Sequence, residues 1–320
     1  MTGFPWVVLL GFGIDLLLGD PQGLPHPVVG MGKLISALEG WTRRCLPATK
    51  NGERTAGAII WLLTFTVSFL LPLGVLGLCG RINPWLRLAA EGLMCWQILA
   101  VKSLRDEAMR VYRALLTGKL PDAREAVSRI VGRDTQELDT AGVTRAAVET
   151  VAENTVDGVT APLFYLMLGG APLGFAYKAV NTMDSMLGYT DPPYRHLGLV
   201  PAKMDDIWNF IPARLTAFLM LMAGGMLGLD LCGGWRVFRR DRFCHASPNS
   251  AQTESVCAGL LGLRLAGDAR YRGVLHKKPY IGDDTRPIVP EDIPRSCRLM
   301  YATALLCLCL TTAVRALLIG

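Results

Sequence analysis

Residues 57–80 read GAIIWLLTFTVSFLLPLGVLGLCG, 24 positions without one charged side chain. A bilayer's hydrocarbon core is about 30 Å thick and takes about 20 mostly apolar helical residues to cross, so this run reads as a spanning helix. The whole chain agrees with it. Of 320 residues, 51% are hydrophobic and 19% charged, a balance more apolar than that of soluble domains. The expected fold class is all-α: a polytopic membrane protein with about 4–6 membrane-embedded helices and amphipathic helices in its loops.

Five further segments belong to this pattern. Gly158 to Tyr177 is uncharged but carries Gly169-Gly170-Ala171-Pro172 at its middle; Leu215 to Leu229 is shorter; Leu299 to Val314 is uncharged. Phe4 to Leu18 contains Asp15, and Pro84 to Val101 contains Arg87 and Glu91, so these two read as spanning, interfacial or buried against other helices. Taking all six as spans puts loops 19–56, 102–157 and 233–298 on one side with 5, 9 and 12 of the 33 Lys plus Arg, which makes them cytoplasmic. The same count exports loop 178–214, which carries candidate site residues. A re-entrant or broken helix at 169–172 would remove that conflict, and the sequence leaves the topology open.

The expected organisation is one integral-membrane domain over 1–320, with helical cytoplasmic insertions at about 102–157 and 233–298. Within them, helices are expected over Arg105 to Thr117, from Pro121-Asp122 to about Val131, and after the N-cap pair Asp139-Thr140. No strand pattern and no fixed-period repeat is read. The net charge of +6 lies in short clusters rather than a basic arm, which excludes nucleic acid as a partner and fits cationic loops beside anionic lipid. Nine cysteines without C-x-x-C spacing read as small buried hydrophobes. The opening Met1 to Pro5 lacks a charged n-region, so no cleavable leader is expected.

Four constellations could carry chemistry. Glu149, Glu153 and Asp157 recur at four-residue steps, which stacks them on one helical face with Asn154 beside them. The plainer reading is a solvated face with Arg145 paired to Glu149; against it, the acids run directly into an apolar segment, where charges usually have a metal or ligand to hold. Lys178, Asn181 and Asp184 follow that segment at three-residue steps, a capping and snorkelling set on the plainer reading. Asp205-Asp206 precedes Asn209 and Arg214; such oxygen ligands suit Mg²⁺ and equally suit a helix N-terminus. Finally, Arg242 and His245 with Ser247 and Asn249 flank a probable helix from Ala251 to about Leu265, an anion site or a basic loop at lipid headgroups. Soluble nucleotide-binding signatures are absent: no Walker A sequence, no G-x-G-x-x-G.

Arg133-Asp134-Thr135 through Glu149 to Asp157, Pro162, Lys178 to Gly188, Asp205 to Arg214, Asp241 to Ser250, Glu254, Gly259 and Lys278-Pro279 together resemble the adenosylcobinamide-phosphate synthase family. The likeness extends from Gly19-Asp20-Pro21 and His26-Pro27 to Gly282. It implies a multi-pass protein of the bacterial cytoplasmic (inner) membrane that joins aminopropanol, or its O-phosphate, to adenosylcobyric acid through an amide, with ATP and Mg²⁺ activating the carboxylate. The corrinoid is then substrate, not cofactor. Membrane lipid, other membrane-bound cobalamin-assembly enzymes and further copies of the chain in a homo-oligomer are the implied partners.

With ATP and Mg²⁺ so implied, charge and spacing suggest Glu153, Asp157, Asp184 and Asp205 as metal ligands and Lys178 as a stabiliser of charge. Glu149 would be the general base. Asn154, Asn181, Arg214, Arg242, His245, Ser247 and Asn249 would contact substrates, with Arg242 and His245 on a phosphate. Two other classes stay open. Asp157-Gly158 with Ala161 matches the opening of the CDP-alcohol phosphotransferase signature, but Pro162 stands where that signature needs Arg. A corrinoid transporter or assembly factor would also use a broken helix and acids at membrane depth.

Overall fold

The computed structural model describes residues 5–21, 23–189 and 191–319; residues 1–4, on which the leader expectation and the start of the first apolar segment at Phe4 partly rest, lie outside the described residues. In chain order the elements are α1 (Pro5–Leu18), α2 (Pro27–Cys45), α3 (Lys50–Ile82), α4 (Pro84–Ile98), α5 (Val101–Leu116), α6 (Leu120–Ser128) and α7 (Thr140–Asn154). A π-helical turn (Thr155–Thr160) leads into α8 (Ala161–Leu187), α9 (Leu199–Trp208), α10 (Phe210–Met226), α11 (Leu231–Asp241) and α12 (Ser250–Leu261). Strands β1 (Leu265–Ala266), β2 (Ala269–Tyr271), β3 (Val274–His276) and β4 (Tyr280–Ile281) precede α13 (Asp292–Ile319).

Local chemistry sets several of these boundaries. Thr49 accepts from the Gly52 amide at 3.1 Å and Asp139 from the Gly142 amide at 2.7 Å, so each satisfies an amide that the helix start leaves open. Asp139 caps α7 as its sequence suggests. The strands correct the sequence reading: β1 pairs with β4 and β2 with β3, both antiparallel. At two or three residues each, they are too short to show alternation. Cys95, Cys257, Cys297 and Cys307 are buried, but Cys45, Cys232 and Cys309 are exposed, so the buried-hydrophobe reading holds for only part of the set.

Three helical stretches are long and apolar enough to cross a bilayer: Lys50–Ile82, Thr140–Leu187 and Asp292–Leu317. The pair α9 and α10, bent by 45°, would make a fourth. The protein is thus an all-α polytopic membrane protein. The second stretch, however, is folded in two. Gly169 (φ −137°, ψ 16°) and Gly170 (φ 66°, ψ −163°) leave helical geometry inside α8, and Tyr165 stacks on Tyr177 with ring centroids 5.0 Å apart. Twelve residues of straight helix would separate them by about 18 Å. Residues 161–168 and 171–187 are therefore the two arms of a helical hairpin, not one span. An arm that returns by the side it entered does not carry the following loop across the membrane, so the six-span count does not hold for this segment.

The hairpin tip is held by buried charge. Arg315 donates to the Leu166 and Met167 carbonyls at 3.1 and 2.5 Å, which have no helical acceptor role left to fill past Gly169. Glu91, also buried, lies against Gly170, where an added Cβ would come 2.7 Å from its Oε1. Gly170 also has a backbone conformation that residues with a Cβ rarely adopt. Gly170→Ala is accordingly expected to lower the free energy of unfolding by about 1–3 kcal/mol, read as an earlier detergent-denaturation midpoint; an unchanged midpoint would count against the hairpin tip described here.

The chain divides into two compact, discontinuous units. Unit 1 comprises residues 1–100, 161–209 and 311–320; unit 2 comprises residues 101–160 and 210–310. In unit 1, Ile35, Ile60, Val180, Met183, Leu187 and Leu197 form a buried cluster joining α2, α3 and α8. In unit 2, both expected loop insertions fold with α10, and every residue of α12 after Ser250 is buried.

Candidate functional site

Unit 2 gathers three glutamates. Glu149 on α7 is buried and uses both carboxylate oxygens: Arg133 donates to Oε2, and the Ala266 amide to Oε1 at 2.6 Å. The plainer sequence reading, a solvated face with Arg145 paired to Glu149, does not hold: the partner is Arg133, from the loop before α7. One turn on, Glu153 accepts from the Ser250 hydroxyl at 2.8 Å. Asp157 falls in the π-helical turn, whose wider winding interrupts the four-residue ladder that the sequence suggests. Thr155 and Thr160 hydroxyls bond the Val151 and Thr155 carbonyls at 2.7 and 2.9 Å, satisfying backbone in this irregular turn. Asn154 donates to the Thr150 carbonyl at 3.0 Å.

The third glutamate, Glu254, lies on α12 within reach of the charges of Glu153 and Glu149. Burial holds its carboxyl well above the usual carboxylate range, the two neighbouring glutamates add to this, and Arg133 and Lys278 oppose it. Lys278 reaches the cluster from the turn before β4, donating to the Tyr271 hydroxyl at 2.8 Å. His245 accepts the Ser247 amide at Nδ1, 3.1 Å, so its neutral form carries the proton on Nε2. Burial lowers its pKa, and Glu153 pulls the other way.

A pH effect follows from Glu254. Because its folded pKa is raised, the folded state keeps a proton that the unfolded chain releases above about 4.5, so stability falls as pH rises toward the folded value. Glu254→Gln mimics the protonated acid and is expected to flatten that fall, so that the unfolding midpoint of wild type drops relative to the variant as pH rises. Parallel pH profiles of the two proteins would contradict it.

Beside this cluster, two guanidinium groups face each other. Arg214 donates to the Phe210 carbonyl at 2.8 Å and Asn249 Oδ1 at 3.1 Å, and lies over the Phe210 ring. Arg242 sits close enough to act on its charge; its Nε is buried without an acceptor, and its guanidinium rests over the Phe238 and Phe243 rings. Among the described residues neither arginine bonds a carboxylate. Asn249 occupies the N-cap of α12 but makes no side-chain cap bond there, and Ser247 Oγ accepts the Asn249 amide at 3.3 Å. Arg236 and Arg240 bond Asp283 at 2.9 and 2.6 Å.

Unit 1 holds the other predicted carboxylates. Asp205 accepts from Asn209 at 3.0 Å, interacts with Asn181, and feels the charge of Asp184. Asn209 in turn accepts from the Tyr177 hydroxyl at 2.9 Å, so the hairpin positions this group. Asp184 packs so closely on Gly188 that any Cβ there would strike its carboxylate. Lys178 lines a cavity of about 410 Å³ with Asp20, His26 and Trp96. The four expected metal ligands are therefore divided, Glu153 and Asp157 in unit 2, Asp184 and Asp205 in unit 1. Among the described residues no group of three His, Cys, Asp or Glu side chains is placed to hold a metal ion.

Comparison with known proteins gives the family. A profile of the CobD/Cbib protein family matches residues 8–300. The chain belongs to the CobD/Cbib protein family. Among similar relatives, proteins called cobalamin biosynthesis protein CobD in Yersinia enterocolitica and Citrobacter koseri are 47% and 46% identical, covering 100% of this chain and 100% and 99% of their own lengths. Cobalamin biosynthesis protein CbiB of Salmonella typhimurium is 45% identical over 100% of this chain and 99% of its own. No solved structure matches.

For this CobD/Cbib chain, charge and spacing missed three site groups: Arg133, Glu254 and Lys278, which entered the sequence reading only through the resemblance. Lys278 and Arg133 come from loops far from α7 in sequence, so spacing cannot connect them. Glu254 did leave a signal, since a lone acid in the apolar run Ser250–Leu261 is costly to bury unless something requires it.

Proposed function

We propose that this chain acts in cobalamin biosynthesis, as the names of its relatives state of them, and that it is the enzyme joining adenosylcobyric acid to aminopropanol or its O-phosphate. The supporting observation is the cluster of Glu149, Glu153 and Glu254 in unit 2, edged by Arg133, Lys278, His245 and Ser250. Burying Glu149 and Glu254 costs stability, and packing alone does not call for them.

A carboxylate is a poor electrophile at neutral pH, so it must be activated. Its oxygen attacks the terminal phosphorus of ATP and the bond to ADP breaks, giving an acyl phosphate; the amine nitrogen then attacks the acyl carbon, the bond to phosphate breaks, and the amide forms. The nitrogen's surplus proton goes to a base. Glu149, with both oxygens bonded, serves this scheme better by fixing Arg133 and Ala266 than as that base. Glu254, which burial keeps protonated, cannot accept it, and Glu153, whose charge acts on both His245 and Glu254, takes the role. Arg214 and Arg242, with His245, Ser247 and Asn249, grip a phosphate.

Mg²⁺ commonly takes one or two carboxylates and leaves its other positions to phosphate and water, which fits carboxylates grouped in twos. Asp184 with Asp205 would hold one such ion in unit 1, and Glu153 and Asp157 would ligate another in unit 2. When bound, it would neutralise charge on the transferring phosphoryl group. Lys178 supplies positive charge in unit 1, and Asn154 and Asn181 offer polar contacts to substrate. The enzyme sits in the bacterial inner membrane. Other cobalamin-assembly enzymes of that membrane, and further copies of this chain, are its expected partners.

The hairpin of α8 favours a second reading, a corrinoid transporter, since broken helices line many transport sites. A strain lacking the chain separates the two. The synthase reading expects adenosylcobyric acid to enter normally and accumulate unconverted; lost uptake with intact conversion would support transport instead.

A further inference from the structure

Unit 2 contains a cavity of about 440 Å³ between the loop after α6, the first turns of α7 and the β2–β3 hairpin. Arg133, Arg145, Arg270, Leu138, Ala266 and Leu275 are among its walls. That volume suits a small molecule. We propose that this cavity, centred on Arg145, binds the phosphate of a phosphorylated substrate.

Arg145 carries the inference. It makes no ion pair among the described residues, and its Nε is buried without an acceptor. Three acids share the lining and each is already bonded: Asp134 accepts from the Arg272 and Gly273 amides at 3.1 and 2.7 Å, Asp268 from the Lys278 amide at 3.2 Å, and Glu137 pairs with Arg270. Arg133 donates to Glu149 through Nη2, leaving its other donors, and Arg270 makes an exposed pair with Glu137 at 3.3 Å and a long bond to the Gly273 carbonyl at 3.4 Å. Donors thus reach the space from three arginines. A planar carboxylate would be satisfied by one fork, whereas a tetrahedral phosphate takes donors from several sides.

The wall also touches the glutamate cluster. The Ala266 amide, which bonds Glu149, belongs to a residue held at φ 58°, a strained conformation that costs about 1–3 kcal/mol and persists where surroundings enforce it. A ligand in the cavity would therefore lie against the Arg133–Glu149 pair. Resting on the amide-forming reading, two phosphate-bearing reactants need two anion sites; Arg214 with Arg242 offers one and Arg145 the other.

The test uses the full chain in lipid nanodiscs and measures dissociation constants for ATP and for aminopropanol O-phosphate separately. Arg145→Gln is expected to weaken one of them by about tenfold or more while leaving the other within about twofold, with Arg145→Lys keeping part of the loss back. The ligand affected identifies whose phosphate the cavity holds. Unchanged affinity for both overturns the proposal. So does equal loss of both in Arg145→Gln and Arg145→Lys, which would mark Arg145 as a support of the fold. Product formation measured in parallel reports on the amide reading alone: selective binding through Arg145 without amide product would fail that reading and keep the cavity.

Discussion

Arg133→Met is expected to lower the free energy of unfolding by about 3–5 kcal/mol, because it removes the counter-charge from a carboxylate that stays buried. Glu149 is 4% exposed and spends its other oxygen on the Ala266 amide, so it cannot turn to water without breaking the tie between α7 and β1. Removing both charges together relieves the problem. The double variant Arg133→Met with Glu149→Met is therefore expected to recover much of the loss in stability while remaining inactive. Denaturation midpoints in detergent for the two single variants and the double one supply the cycle. Additive losses would mean that the pair is not coupled as the geometry requires.

Glu153→Gln is expected to reduce amide formation by about 100-fold or more with little change in stability. The amide oxygen of glutamine can still accept from Ser250, so the local packing survives, but the negative charge beside His245 and Glu254 is gone. The loss should appear in turnover rather than in the unfolding midpoint. A variant that turns over normally would remove Glu153 from the chemistry.

Much of this was legible in the residues themselves. The uncharged run at 57–80, the cap at Asp139 and the break at 169–172 each follow from one local rule, and the structure has α3, α7 and a kink at those places. The reversal at the break is tertiary: it depends on Tyr165 meeting Tyr177 and on Arg315, some 150 residues on, capping the first arm. The short strands escaped because two or three residues carry no period. In the site, spacing found Glu149 and Glu153 but assumed that Asp157 continues the same ladder; the π-helical turn breaks that assumption. Spacing could offer only Arg145 as a partner for Glu149, because Arg133 arrives from a loop.

The central claim is that the glutamate cluster of unit 2 makes a carboxylate react with an amine. Purified wild-type chain and Glu153→Gln, each given adenosylcobyric acid, aminopropanol O-phosphate and Mg-ATP in nanodiscs, would be followed for amide product by mass spectrometry. The account predicts amide from wild type, with ATP consumed alongside, and almost none from a Glu153→Gln protein that unfolds at the wild-type midpoint. Equal product from both, or none from wild type under any lipid condition, would contradict it.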